Sequence, residues 1–372
     1  MSMKNRAIKI RIYPNDNQKE LIIKTFGCVR KLYNEMLYDV WNYFTYNNNL
    51  MFITPAMYKN EFSYMKEVDS LALANVGLDV KRAFLSYFKK KTKFPKMKHK
   101  KNKVQSYTTN YVNNNIVIDG NMIKLPKLGF VKCKNHRVFE NSSLKSVTIS
   151  KSATNKFYAS CLYEIEDGDN KASEVSYNED VKVLGIDYAM DGLGVYSDGT
   201  RCDYPKYYKK SQRKLAREER KLSHCVYGSK NYYKQKMRLA RIYEHITNQR
   251  RDFLHKETKR LSDKYDVIVV EDLNLKAMRK TLHFGKSISD NAYAKFVSYL
   301  EYKQQDRKHR LIKGDRFFPS SKRCHKCGNI KSNLTLGDRV YTCSCGVSMD
   351  RDINAAINIK NEGIRLLKEQ LV

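Results

Sequence analysis

Val181-Lys-Val-Leu-Gly-Ile-Asp187 is a short hydrophobic run that stops on an acid. It reads as a strand. A second run, Asp266-Val-Ile-Val-Val-Glu271, has the same form and also stops on an acid. A third acid, Asp352, opens a predicted helix, Asp350-Arg-Asp-Ile-Asn-Ala-Ala-Ile-Asn-Ile359. Carboxylates at the carboxyl ends of neighbouring strands can converge. There they can hold two divalent cations about 4 Å apart and activate water for phosphodiester hydrolysis. The Asp187 strand, a hairpin at Val195-Tyr-Ser-Asp-Gly199, two helices and the Glu271 strand follow each other as an RNase H-like sheet would require.

A single Asp at a strand end is most often a turn residue or a helix cap. Three acids in matched settings are harder to dismiss. Glu271 closes what reads as a buried central strand, a costly place for an unpaired charge. Ala355 and Ala356 follow Asp352 at helical spacing and share its face. Residues that small let the helix approach the sheet closely. Asp350 competes as third ligand and is assigned the helix N-cap. The helices between the two strands, Lys206 to Ser223 and Ser229 to Lys264, are strongly basic, and Leu239, Ile242, Ile246 and Phe253 mark a buried stripe on the second. They read as a hairpin that covers the sheet, with outer faces that can line a nucleic-acid channel.

Just before Asp352 lies a cysteine cluster, Cys324-His-Lys-Cys327, then fifteen residues, then Cys343-Ser-Cys345. Paired thiols on tight turns supply tetrahedral zinc with its four ligands, and a closed shell makes the ion structural. The second pair is C-x-C where the ribbon template has C-x-x-C. His325 reads as a surface residue. Lys322, Arg323, Lys331 and Arg339 make the surroundings basic. The other five cysteines are scattered, which fits a reducing compartment and no disulfide framework.

Toward the N-terminus, Ala7-Ile-Lys-Ile-Arg-Ile-Tyr13 alternates as a half-buried strand does. Asn15 with Gln18 three residues on predicts a capped helix, carrying Ile22, Phe26, Val29, Tyr33 and Leu37 on one face. Helical sequence runs to about Phe88. Nine of the fifteen residues from Lys89 to Lys103 are lysine, among them Lys89, Lys90, Lys91, Lys93, Lys96, Lys98, Lys100 and Lys101. Such a run is either a solvated loop or a grip on a phosphate backbone. Strands return at Ile116 to Ile118 and Met122 to Leu125, a hairpin around Asp119-Gly120. Further strands are predicted at Gly129–Lys134, Lys145–Lys151 and Phe157–Ile165. With the first strand they could close a small barrel. Glu166 to Asp180 reads as a linker.

The 372 residues carry 71 Lys and Arg against 39 Asp and Glu, a formal +32. That excess points to a polyanionic partner, because each neutralised phosphate releases counterions. No signal peptide or membrane span is read from the sequence.

The chain resembles the TnpB family, insertion-sequence-encoded relatives of type V CRISPR effectors. The residues that carry the resemblance are Gly185-Ile-Asp187, Asn248-Gln-Arg-Arg251, Val270-Glu-Asp-Leu-Asn274, Phe318-Pro-Ser-Ser-Lys322, the cysteine cluster and Asp350–Ala356. Phe94-Pro-Lys-Met-Lys98 looks like the family's basic segment. The resemblance implies a multidomain α/β (α+β) chain. A RuvC-like nuclease domain (181–316 and 346–372) would carry a zinc-ribbon insertion (317–345). A β-barrel (1–13 and 105–180) would carry a helical recognition insertion (14–104). It implies catalysis by Asp187, Glu271 and Asp352 with Mg²⁺ or Mn²⁺, and Zn²⁺ on Cys324, Cys327, Cys343 and Cys345. Nucleic-acid contacts are expected from the eight lysines named above and from Arg250, Arg251, Lys322 and Arg339. The implied partners are a guide RNA from the element's end, target double-stranded DNA and single-stranded DNA, in bacterial or archaeal cytoplasm near the nucleoid. Two other readings are a nuclease-inactive RNA-guided repressor, which the retained acids oppose, and an RNase H-like transposase, which would give strand-transfer products.

Overall fold

A computed structural model describes residues 2–101, 104–135, 139, 142–167, 178–189, 191–275, 277–278, 290, 292–335 and 337–369. The chain divides into two compact units, Met1–Asp169 and Asn170–Val372.

In the first unit, β1 (Ser2–Tyr13) leads into α1 (Asp16–Asn47). The predicted capping box is present: Gln18 N–H donates to Asn15 Oδ1 at 2.9 Å, and Asn15 N–H donates to Gln18 Oε1 at 3.0 Å. After α2 (Tyr58–Glu61), a 3-10 turn and α3 (Ser70–Phe88) come six strands. These are β2 (Gln105–Asn110), β3 (Val117–Asp119), β4 (Met122–Leu125), β5 (Gly129–Lys134), β6 (Ser142–Lys151) and β7 (Phe157–Asp167). The strands form one antiparallel sheet in the order β2-β6-β7-β1-β5-β4-β3. Gly120, at φ +49°, makes the β3–β4 turn.

The expected closed barrel is corrected to an open half-barrel. Among the described residues no ladder joins the edges β2 and β3, because β3 is only three residues long and the β2 edge packs against α1 and α3. The helices also share one core with the sheet: Ile12, Ile22, Leu32, Val80, Val131 and Ile149 belong to the same buried cluster. Most of the expected linker, 168–177, lies outside the described residues, although Glu166 and Asp167 extend β7.

The second unit contains β8 (Val183–Asp187), β9 (Gly194–Tyr196), β10 (Arg201–Cys202), α4 (Tyr207–Ser223), α5 (Lys230–Lys264) and β11 (Val267–Glu271). There follow α6 (Tyr293–Asp306), β12 (Arg310–Gly314), β13 (Val340–Thr342), β14 (Ser348–Asp350) and α7 (Arg351–Glu369). The five-stranded sheet runs β10-β9-β8-β11-β12, with β8, β11 and β12 parallel. Alternation along the parallel strands decides the layers. Leu184, Ile186, Ile268 and Val270 point toward Leu254, Leu261, Phe296 and Leu300 of α5 and α6. Val183, Val267 and Val269 point toward Ile359 and Leu367 of α7. Close approach of α7 depends on two glycines. A Cβ at Gly185 would collide with the Ala356 carbonyl and the Lys360 backbone nitrogen, and one at Gly363 with the Val269 side chain. The predicted stripe on α5 is only partly buried. Ile246 is in the interior, but Leu254 and Leu261 carry the deeper contact.

Candidate active site

Val270 pairs with Ile186 in the parallel β8–β11 register, so Asp187 and Glu271 end adjacent strands at the same level. Asp352 enters from the first turn of α7. Asp350 caps that helix as expected, its Oδ1 accepting from the backbone N–H of Asp352 at 2.9 Å and of Ile353 at 3.1 Å. Burial pushes the Asp187 carboxyl well above its ordinary value, and the charges of Glu271 and Asp352 push it further, against a smaller opposing effect of Arg351. Burial raises Glu271 too, opposed by a hydrogen bond from Ser320. The Asp187 shift therefore records both other acids as neighbours.

Several residues that sequence reasoning did not find hold these acids in place. Ser320 Oγ donates to Glu271 Oε1 at 2.5 Å. Arg351 Nη2 lies 3.4 Å from Asp352 Oδ1. Arg201 reaches across from β10 to Asp350 Oδ2 at 2.7 Å and Asp352 Oδ2 at 3.7 Å. The Tyr293 hydroxyl is buried with no hydrogen-bond partner among the described residues, and its ring lies 4.5 Å from that of Tyr188. Burial, then the charges of Glu271 and Asp187, raise it well above its usual value. Beside Asp352 opens a cleft of about 480 Å³ lined by Tyr188, Asp191, Arg201, Arg339 and Arg351. Half-buried acids that repel one another, beside an unpartnered hydroxyl, form a set of oxygens that fits hard divalent cations. Among the described residues, the group of potential metal ligands whose atoms all lie within 4.8 Å of one another is that of four cysteines.

Cys324, Cys327, Cys343 and Cys345 form that group. Sulfur pairs lie 3.6 Å apart (Cys324–Cys345) and 3.5 Å apart (Cys327–Cys343). Tetrahedral zinc with bonds of about 2.3 Å separates its sulfurs by about 3.8 Å, so the cluster is close to the size zinc requires. The Cys345 backbone N–H, against burial and helped by contacts within the cluster, lowers the Cys343 thiol to about 6. His325 stays outside this ligand set. Its backbone N–H and Nδ1 contact Asn354 Oδ1 at 3.2 and 3.0 Å.

The expected nucleic-acid residues divide. Lys89, Lys90, Lys91, Lys93, Lys96, Lys100 and Lys101 are exposed. Their segment is anchored by Phe94, whose ring packs against Trp41 (4.7 Å) and Tyr87 (5.3 Å), and by Asn34, which bonds both backbone groups of Lys98. Lys98 itself folds over the Tyr33 ring at 4.0 Å, and burial lowers its ammonium. Arg251, Lys322 and Arg339 are exposed. Arg250 is turned inward: Nη2 reaches the buried Asp290 at 3.1 Å and Nε reaches the Tyr204 hydroxyl at 3.3 Å. Asp290 also accepts from the backbone of Tyr208 and Lys209 at the start of α4. The motif arginine is thus committed to packing.

Three family models match: "Probable transposase" over residues 161–282, "Cas12f1-like, TNB domain" over 293–359 and "Helix-turn-helix domain" over 1–44. In this structure the last span is a strand and most of one long helix. A protein of Streptomyces pristinaespiralis named "Putative RNA-guided DNA endonuclease" is 31% identical over 98% of this chain and 90% of its own length. The chain belongs to the TnpB family. Another relative, the "Putative RNA-guided DNA endonuclease InsQ" of Escherichia coli K12, is 28% identical over 97% of this chain and 93% of its own. This TnpB-family chain also shares its fold with the protein in a cryo-EM structure of a Cas12f1-sgRNA-target DNA complex. The TM-score is 0.61 at 12% identity, covering 97% of this chain and 99% of that one. Among the described residues no helix is long and apolar enough to cross a membrane.

Proposed function

We propose that this chain is an RNA-guided DNA endonuclease of a transposable element, cutting target DNA beside a short adjacent motif. The observation that carries the reading is the meeting of Asp187, Glu271 and Asp352 at the ends of β8 and β11 and the start of α7. An RNase H-like (RuvC-type) assignment for the five-stranded sheet, and a zinc-ribbon assignment for the cysteine segment, agree with that placement.

Asp187, Glu271 and Asp352 would hold two Mg²⁺ or Mn²⁺ ions. Such ions would supply an activated water and stabilisation of the leaving oxyanion. The protein's own side chains do the rest. Ser320 orients Glu271, and Arg351 and Arg201 set the direction of Asp352. Arg339, at the cleft, is placed to meet a phosphate. The four cysteines would hold one structural Zn²⁺. Guide RNA, taken from the element's end, selects the target by base pairing while exposed lysines of the 89–101 segment and Arg251 neutralise backbone phosphates. One such site would cut the two DNA strands in turn, each as a single strand.

The deciding experiment is plasmid cleavage by the purified protein with its co-purifying RNA, using a matched target with a randomised flank, Mg²⁺, and Asp187→Ala as control. Guide-dependent breaks lost in the variant support the proposal. Binding without breaks moves the function to an RNA-guided repressor. The "Probable transposase" match favours a second reading, and strand-transfer products would establish it.

A further inference from the structure

The Phe318-Pro-Ser-Ser-Lys322 motif joins the cysteine segment to the acidic site through Ser320. Ser320 lies between β12 and the first cysteine, and is only 6% exposed. Its hydroxyl donates to Glu271. Its carbonyl accepts from Asn358 Nδ2 of α7 at 2.8 Å. The same amide also donates to the Arg323 carbonyl at 2.6 Å, where Asn354 Nδ2 donates as well, at 2.7 Å. Both asparagines are buried. Arg323 is covalently followed by Cys324, a buried member of the sulfur cluster. Asn354 Oδ1 meanwhile accepts from the His325 backbone inside the first cysteine pair. The turn is closed further by Arg323 N–H to the Pro319 carbonyl at 3.0 Å and by the Tyr341 hydroxyl to the Lys322 carbonyl at 3.2 Å.

A continuous chain of short contacts, made by the two buried asparagines and Ser320, therefore runs from the cysteine cluster through the Arg323 carbonyl to a carboxylate of the acidic site. The helix that supplies the two asparagines also carries Asp352. A buried amide with two carbonyl acceptors has little freedom to re-pair, because a lost partner would leave a polar group unsatisfied. Loosening the cysteine turn would release Ser320, and with it the orientation of Glu271.

We propose that Ser320 is a positioning residue for Glu271, held in place by the cysteine turn through Asn358 and Asn354, so that metal loading of the cysteines sets the affinity of the acidic site for divalent cations. This rests on the nuclease reading and adds to it a link between the two metal sites. Groups that orient metal ligands through hydrogen bonds typically change affinity by roughly ten- to a hundredfold when removed.

The test measures Mn²⁺ binding by electron paramagnetic resonance on the full-length protein with its RNA, together with guide-dependent DNA binding. Ser320→Ala is expected to weaken Mn²⁺ binding roughly tenfold with DNA binding unchanged. Ser320→Thr, which keeps the hydroxyl, should restore it. Removing zinc from the wild type should reproduce the Ser320→Ala value, and removing it from Ser320→Ala should add little. Wild-type Mn²⁺ affinity in Ser320→Ala, or fully additive effects of the two perturbations, would overturn the proposal. Wild-type Mn²⁺ binding that is insensitive to Asp187→Ala would instead overturn the nuclease reading itself.

Discussion

The four cysteines and the three acids are the two proposed metal sites of this chain, yet the protein builds them in opposite ways. The cysteines come in two close pairs on tight turns, and their sulfurs are already within 4.8 Å of one another. Contacts at 3.5 and 3.6 Å let a thiol donate to its neighbour, so the sulfurs attract where carboxylates repel. The acids come from three distant parts of the chain and repel one another. They are kept near each other by a sheet, a helix and the countercharges or donors of Arg351, Arg201 and Ser320. A site of neighbouring thiols can pre-assemble locally, whereas a site of distant carboxylates must be imposed by the fold.

The largest effects should come from breaking each site outright. Structural zinc contributes about 10–16 kcal/mol to small domains that depend on it. Cys343→Ser is expected to lose about one zinc per chain by elemental analysis. The far-UV signal of the five-stranded sheet and its helices should remain, since their buried clusters contain none of the four cysteines. Collapse of the whole unit would mean that the two sites are not separately built. At the acidic site, Asp187→Asn should reduce cleavage at least about a thousandfold while raising the melting temperature in cation-free buffer. The sign follows from the raised Asp187 carboxyl. Between the ordinary value and the raised one the folded state binds more protons than the unfolded, so stability falls as pH increases through that window and stays reduced above it. The neutral amide removes this penalty. The advantage of Asp187→Asn should shrink as the pH drops toward about 4. A variant that melts below the wild type at neutral pH would refute the argument that burial and then repulsion penalise the charged Asp187.

The same contrast explains what could be read in advance. The cysteine spacing, the Asn15–Gln18 box, the β3–β4 turn and the Asp350 cap are local patterns, and each is present. The two acid-ended strands were legible because both buried faces had to be apolar up to the acid. Ser320 stands in a quoted motif, but neither its link to Glu271, 49 positions away, nor that of Arg201 to Asp350, 149 positions away, leaves a local pattern, and the Tyr293 hydroxyl has no hydrogen-bond partner among the described residues. Asn354 and Asn358 do leave a signal: two amides four apart in the alanine- and isoleucine-rich stretch Ile353 to Ile359. The pairing of Arg250 leaves no local pattern either, because its partner Asp290 lies forty positions on. The half-barrel looked closed because alternation reveals strands but not which edges pair.

A smaller effect tests whether the fold truly imposes the acidic site. Gly185→Ala adds a Cβ against the α7 backbone, where neither the Ala356 carbonyl nor the Lys360 nitrogen can swing aside. Overpacking of this kind costs roughly 1–3 kcal/mol. Chemical denaturation should show a loss in that range, and Mn²⁺ binding should weaken because α7 carries Asp352. The cysteine cluster, built locally, should keep its zinc. Loss of zinc from Gly185→Ala would erase the distinction between the two sites.

The smallest expected change separates the two roles of Asp350. Its Oδ1 caps α7 while its Oδ2 pairs with Arg201. Removing a cap costs about 1 kcal/mol, and asparagine caps as well as aspartate does. The Arg201 pair is substantially exposed, with side-chain accessibilities of 45% and 35%, so solvent screening limits it to a fraction of that. Asp350→Ala should therefore lose about 1 kcal/mol in denaturant titration, and Asp350→Asn only a few tenths. Equal losses would place the stabilisation in the ion pair. Arg201 would then be tying β10 to the start of α7, and the position of Asp352 would depend on a countercharge more than on the helix that presents it.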